Sequence, residues 1–353
     1  MLRKILAATI FMAVIVIAPA HLLMTHETRK GIANDSPKEE ANKPHRWVQA
    51  IAAGRGQWPE AAKEGQWPLS VIPIVAFGDK LWMVGHGKAG NYVWYSSDGI
   101  NWQKAQTNAG WGERYGMTRV FFDNKIWAMG GSTDDWEYKN DVWYTSDGLN
   151  WQLATERAGW SPRRGHATVV FEGKMWVIGG AANVGPKGTG EGPRRDVWSS
   201  ADGVTWTQVT DSAPWSARGD HLCLALKDKL WLIGGRSDQE TLFDESWYTS
   251  DGKNWTRAAS DSGWMGRFCA GAQVFEGEMW IFGGSRKRDI WRSGDGINWT
   301  RVTADAPWAL NCAECGRCGN CSVVFKNKIW IFGGKNEQNG FAQDVWYMAS
   351  SAR

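Results

Sequence analysis

The sequence predicts an all-β fold: a six-bladed β-propeller whose ring is closed by an N-terminal strand completing the last blade. Three observations predict it. The segment Lys80-Leu81-Trp82-Met83-Val84-Gly85 recurs with its Trp at positions 127, 176, 231, 280 and 330, at intervals of 45, 49, 55, 49 and 50 residues. Each copy consists of short apolar runs rich in Val, Ile and Trp, bounded by Gly pairs such as Gly130-Gly131 and by Asp-Gly turns such as Asp98-Gly99. Outside the first residues, no stretch shows the 3.6-residue apolar spacing of a helix. Four strands in about 50 residues describe one propeller blade.

The elements follow in order within each copy. The recurring Trp marks the second strand. An Asp-x-Trp marks the third, as in Asp141-Val142-Trp143, Asp196-Val197-Trp198, Asp289-Ile290-Trp291 and Asp344-Val345-Trp346. Asp-Gly then supplies the positive φ that a tight hairpin requires. A further Trp follows three residues after the Gly, at 102, 151 and 255 for example, and marks the fourth strand. Nine residues later stands Trp111, Trp160, Trp215, Trp264 or Trp308, and in four copies an Arg comes three residues beyond. The sixth copy runs out at Trp346-Tyr347 without a fourth strand, while Arg46-Trp47-Val48-Gln49-Ala50 matches Asn101-Trp102-Gln103-Lys104-Ala105 and precedes any first strand. The N-terminal segment is therefore expected to supply the missing outer strand, which leaves no open sheet edge.

With these motifs in place, the chain resembles kelch repeats, the superfamily that includes the central domain of galactose oxidase. The Gly pair ending a strand, the Asp-x-Trp about 10 residues on and the Trp-x-x-Arg opening the next unit carry the resemblance, over residues 45–349. The departure from that pattern is Ser-x-Asp-Gly-x-x-Trp, which is similar to the Asp-box of sialidases but one residue shorter between Asp and Trp.

Most of the 26 Trp are explained by the repeat, since a residue present in every blade is most simply packing between blades. The Asp before each third-strand Trp reads as a turn and backbone-capping acid. Trp58 and Trp136 fall outside the repeat. Loops from fourth to first strands and from second to third strands emerge on one face of a propeller, the channel face, so both are candidates for ligand contact there. The same face should hold Arg114, Arg163, Arg218 and Arg267 around the channel mouth, with His166 and His221 at matching positions behind two of them. Planar guanidinium donors suit carboxylate or phosphate; the alternative is that each Arg ties one blade to the next through backbone carbonyls. The Gly-rich loop over residues 181–195 suits a lid.

Cys312, Cys315, Cys318 and Cys321 stand at every third position, in a stretch six residues longer than its counterparts. Two disulfides, a zinc site and part of an iron–sulfur motif are three readings of that spacing, in descending order of fit. No other cofactor is expected. Cys223 and Cys269 are expected on innermost strands as buried free thiols.

The first residues, Met1-Leu2-Arg3-Lys4, an apolar run over 5–17 and Ala18-Pro19-Ala20, describe a signal peptide over residues 1–20. The alternative is an uncleaved anchor over residues 5–24. Residues 21–44 read as a polar flexible linker and 45–353 as the propeller. The protein is thus expected outside the cytoplasm, periplasmic or secreted, touching a membrane only through that segment. The formal net charge of +3 across 353 residues argues against a nucleic-acid-binding surface. A monomeric propeller is expected, binding a protein or an anionic small-molecule or carbohydrate ligand. Copper chemistry of the galactose oxidase kind is rejected, because neither His166 nor His221 has Tyr beside it. No nucleophile elbow or phosphate loop is visible. The reading is a binding module acting through its channel face. Its alternatives are an enzyme acting on an acidic sugar, similar to the sialic-acid mutarotases, or a structural component of a cell-envelope complex.

Overall fold

A computed structural model describes residues 46–51, 74–87, 90–105, 109–112, 114–133, 135–182, 192–259, 262–285, 287–309, 321–336, 340–341 and 344–349. Strand β1 (Trp47–Ile51) precedes the first blade, which is built from β2 (Ile74–Phe77), β3 (Lys80–Gly87), β4 (Gly90–Ser96) and β5 (Gln103–Ala105). The second blade holds β6 (Thr118–Phe122), β7 (Lys125–Met129), β8 (Val142–Thr145) and β9 (Gln152–Thr155). The third holds β10 (Ala167–Phe171), β11 (Lys174–Ile178), β12 (Val197–Ser200) and β13 (Thr207–Thr210). The fourth holds β14 (Leu222–Leu226), β15 (Lys229–Ile233), β16 (Ser246–Thr249) and β17 (Thr256–Ala259), and the fifth β18 (Gly271–Phe275), β19 (Glu278–Phe282), β20 (Ile290–Ser293) and β21 (Thr300–Thr303). The sixth contains β22 (Cys321–Phe325) and β23 (Lys328–Phe332), then a small hairpin of β24 (Lys335–Asn336) and β25 (Gly340–Phe341), and finally β26 (Val345–Ala349).

The sixth sheet runs β1-β26-β23-β22, with Trp47 opposite Met348 and Gln49 opposite Trp346. The N-terminal strand therefore completes the last blade, as the missing fourth strand requires. Trp47 also takes the role its sequence match assigns: it packs edge-on against Trp308 at 4.6 Å, as Trp151 packs against Trp111 at 4.6 Å in the second blade. Each innermost strand abuts the next, from β2 through β6, β10, β14, β18 and β22 back to β2. Six hydrophobic clusters, each shared by two adjacent blades, fill the six seams.

The turns between third and fourth strands show why Asp-Gly recurs. The Asp98 carboxylate accepts the N–H groups of Ile100 and Asn101 at 2.8 and 2.7 Å, while the Ser96 hydroxyl accepts that of Gly99 at 2.8 Å. The turns at Asp147, Asp202, Asp251 and Asp295 repeat the pattern. Slight burial opposes ionisation of these acids, but the backbone donors outweigh it and bring Asp98, Asp147, Asp251 and Asp295 down to about 2. The glycines do two things. Their φ is 75–78°, and a Cβ would lie 2.1–2.7 Å from the second-strand indole of the preceding blade, for example Trp127 over Gly203. That indole in turn donates its N–H to a first-strand carbonyl, as from Trp176 to Phe171 at 2.9 Å.

Candidate functional site

The channel face is built from the loops that open each blade and those joining second to third strands. Arg163 shows how the blade-opening arginines sit. Its guanidinium makes a two-pronged pair with Asp196 at 2.6 and 2.8 Å, and it also donates to the carbonyls of Gly179 at 2.9 Å and Ser161 at 2.9 Å. Arg267 repeats this with Asp289, Gly283 and Met265, and Arg114 with Asp141 and Gly130. Arg218 uses Glu245 at 2.6 Å and Gly234 at 2.9 Å. Exposure of the four is 7%, 1%, 0% and 1% in chain order. They lie within the blade walls beneath the face. Burial pushes against ionisation of Asp196, Glu245 and Asp289, yet the partner guanidinium holds each below its usual range.

This arrangement gives the Asp before the third-strand Trp a different role from the turn-capping one read from the sequence. Asp196 accepts from the Trp198 indole at 2.8 Å while pairing with Arg163, and Asp141 and Asp289 accept from Trp143 and Trp291 in the same way. One Arg–carboxylate pair thus joins the Gly-pair end of the second strand, the start of the third and the loop that opens the blade. Glu245 does this work in the fourth blade, where the Asp-x-Trp pattern reads Glu245-Ser246-Trp247. A search for Asp alone passes over it.

His166 and His221 are buried at the tops of two innermost strands. Each imidazole packs over the first glycine of the preceding blade's Gly pair, where a Cβ on Gly130 or Gly179 would lie 2.7 or 2.8 Å from it. Burial and the neighbouring Arg163 or Arg218 push both down to about 3, so both are neutral at pH 7. The Thr118 hydroxyl lies 2.7 Å from His166 Nε2. The residue matching Thr118 beneath His221 is Ala167, which offers no hydroxyl.

Trp136 lies on the channel face as expected, in the loop between β7 and β8, half-buried and with φ at 64°. It stacks on Arg164, whose guanidinium carbon is 4.6 Å from the ring centroid. Arg236 lies over Phe268 at 4.4 Å on the same face and bonds Asp220 at 3.0 Å. Arg164, Arg236 and Asp220 escaped the sequence reading because they do not recur at matching positions. For Asp220 alone a signal was available, because it and Cys269 stand where the preceding units carry Gly116 and Gly165; the structure shows positive φ at all four positions.

The remaining expectations separate. Trp58, Cys312, Cys315 and Cys318 lie outside the described residues, as does most of the loop over 181–195. Cys321 is on innermost strand β22 as a free thiol; its sulfur accepts the Ile74 N–H of the first blade at 2.9 Å, and burial pushes the thiol up to about 12. Cys223 is on β14 as expected, with burial raising its thiol. Cys269 is not on an innermost strand: it lies two residues before β18, at φ 51° and only half-buried, because the blade-opening loop makes its left-handed turn there. Among the described residues, no group of His, Cys, Asp or Glu is gathered to hold a metal ion.

Comparison with known families now decides the membership. A model of the KLHDC2/KLHL20/DRC7 kelch-repeats domain matches residues 72–284. The chain belongs to the kelch-repeat family. A second model, the DUF6242 beta propeller domain, matches residues 224–347 of this kelch propeller. The solved structure of YjhT superposes with a TM-score of 0.63, covering 79% of this chain and 94% of its own, at 18% identity. That likeness is one of fold. No match was found among curated proteins.

Proposed function

We propose that this kelch propeller is an exported binding module that takes a protein partner on its channel face. The observation that carries the reading is the unequal use of the two faces. The Asp-Gly face repeats one turn five times, whereas the channel face gathers the non-repeating residues Trp136, Arg164, Asp220, Arg236 and Phe268, together with exposed Leu242 and Met265. Departure from a repeat that the fold needs is where binding chemistry can be written without loss of packing. Membership of a kelch family supports a protein partner over a small ligand. For the acidic-sugar alternative, carboxylates do lie within reach of the arginine ring, and they are engaged by those arginines in the blade wall.

Export rests on residues 1–20 and on the polar stretch that follows. Strand β1 runs antiparallel to β26, so the chain comes into the propeller from the Asp-Gly side.

The test is partner capture from the native compartment by the wild type and two variants. One carries Leu242→Asp with Met265→Asp on the channel face; the other carries Ile100→Asp with Val204→Asp on the Asp-Gly face. Loss of the partner from the first alone is expected. Loss from the second alone would place binding on the opposite face and sink the reading.

A further inference from the structure

The residue after each blade-opening Trp serves the ring through its backbone. Ser161 and Ser216 accept the Nε–H of Arg163 and Arg218 on their carbonyls at 2.9 and 2.8 Å, and Met265 accepts that of Arg267 at 3.3 Å. The equivalent residue of the second blade is Gly112. What the serines and Met265 share is a carbonyl, for which a small residue suffices. The fifth blade nevertheless carries a thioether.

That thioether stands outside the packing. Met265 is 68% exposed, more than any other large apolar residue among those described. Met83, Met117, Met129, Met175, Met279 and Met348, the other described methionines, are each 3% exposed or less. Met265 is still held in place. The chain at Gly266 lies against the fourth blade, where a Cβ would come 2.9 Å from Leu242 Cβ. From the other side the Lys287 ammonium donates to the Met265 sulfur at 3.6 Å, and the half-buried Lys287 is itself fixed by its N–H to the Gly284 carbonyl at 3.2 Å.

The geometry points to Met265 as an oxidation site on the channel face, taking one oxygen atom from hydrogen peroxide, with Lys287 as a positioning residue that selects which lone pair of the sulfur reacts. A thioether sulfur is a weak hydrogen-bond acceptor. The ammonium engages one of its lone pairs and leaves the other to the oxidant. That free pair attacks a peroxide oxygen: the S–O bond forms, the O–O bond breaks, and the proton on the transferred oxygen passes to the departing hydroxide, giving water. Sulfur is oxidised and peroxide reduced by the same electron pair. The sulfoxide sulfur is a stereocentre, so reaction at one lone pair gives one epimer, and each class of methionine sulfoxide reductase reverses one epimer.

The product sets a polar oxygen beside Leu242, where an apolar side chain stood. Resting on the reading that a protein partner binds this face, oxidation weakens the partner and the reductase restores it. The six buried methionines are shielded in the folded ring, which confines the change to this one surface.

The experiment treats folded wild type, Met265→Leu, Lys287→Ala and the Leu242→Asp/Met265→Asp pair with hydrogen peroxide and maps the digested chains by mass. Met265 should gain oxygen at least about tenfold faster than the six buried methionines. One reductase class should remove nearly all of that oxygen from wild type, whereas each class should remove about half from Lys287→Ala. Equal oxidation of all seven methionines overturns the site, and an even epimer mixture in wild type overturns the part given to Lys287. Partner capture from the native compartment then reads the consequence: binding should fall on oxidation and recover with the reductase. Met265→Leu keeps every thiol and should not respond; a response there assigns the effect to cysteine and overturns the switch. If the Leu242/Met265 pair loses the partner while oxidised wild type keeps it, the switch is overturned and the face assignment stands. If the pair keeps the partner, the face assignment and the switch fall together, and the mass map and epimer ratio judge the oxidation site on their own.

Discussion

The two faces of this propeller are built by the same repeat and put it to different uses. On the Asp-Gly face, five turns place the same carboxylate under the same backbone donors and the same glycine under the same indole. On the channel face, the arginines and their acids repeat beneath the surface, but the residues lying over them do not. Arg163 and Arg164 are neighbours in sequence and show the division within two positions. Arg163 is 1% exposed and paired with Asp196; Arg164 is half-buried, stacked on Trp136 and paired with no acid among the described residues. The lesson is that repetition marks what the ring needs to close, and its interruption marks what the ring can spare for recognition.

The largest expected effect breaks the repeated layer of the channel face. Arg163→Met leaves Asp196 buried against a hydrocarbon chain, and removing one partner of such a pair costs about 3–5 kcal/mol. Denaturant unfolding should show that loss; an unchanged midpoint would mean that Arg163 serves a ligand rather than the blade. A smaller loss, about 2–3 kcal/mol, is expected on the opposite face for Gly203→Ala, because the new methyl would meet the Trp127 ring at 2.1 Å and φ is 75°. Wild-type stability for this variant would remove the turn–indole contact as a reason for the Asp-Gly repeat.

Acid should separate the faces by pH. The imidazoles of His166 and His221 are held down to about 3, against about 6.5 in an unfolded chain. The unfolded state therefore takes up those protons first, so the stability present above pH 6.5 is lost progressively as pH falls towards 3. The turn aspartates, held at about 2, contribute stability that is present above about pH 4 and is lost below it. The melting temperature followed from pH 8 to pH 2 should fall in two stages, and His166→Gln combined with His221→Gln should flatten the first alone. A single fall confined below pH 4 would show that the histidines are protonated in the folded state.

Much of the fold is legible in the chain because its signals are local and repeated. The Trp spacing, the Gly pairs and the match of Trp47 to Trp102 each lie within a short window, and the structure places Trp47 against Trp308 as that match implies. The candidate site was less legible. Arg114, Arg163, Arg218 and Arg267 were visible as a set, yet which side of the wall they occupy depends on acids 22–33 residues further along the chain. Glu245 hid behind a substitution, and Arg164 carried no periodic signal. Cys321 looked like the last member of a loop cluster, whereas it begins an innermost strand and bonds a residue 247 positions away.

By itself the sequence determined the strand content, the number of blades and the means of closing the ring, since hydrophobic period, turn chemistry and repeat length are properties of neighbouring residues. Only the tertiary structure decided which cations are consumed by the blades and which is left at the surface. That choice turns on whether a carboxylate from a distant loop reaches a guanidinium: Asp196 reaches Arg163, while Arg164 is stacked on Trp136 and has no acid among the described residues.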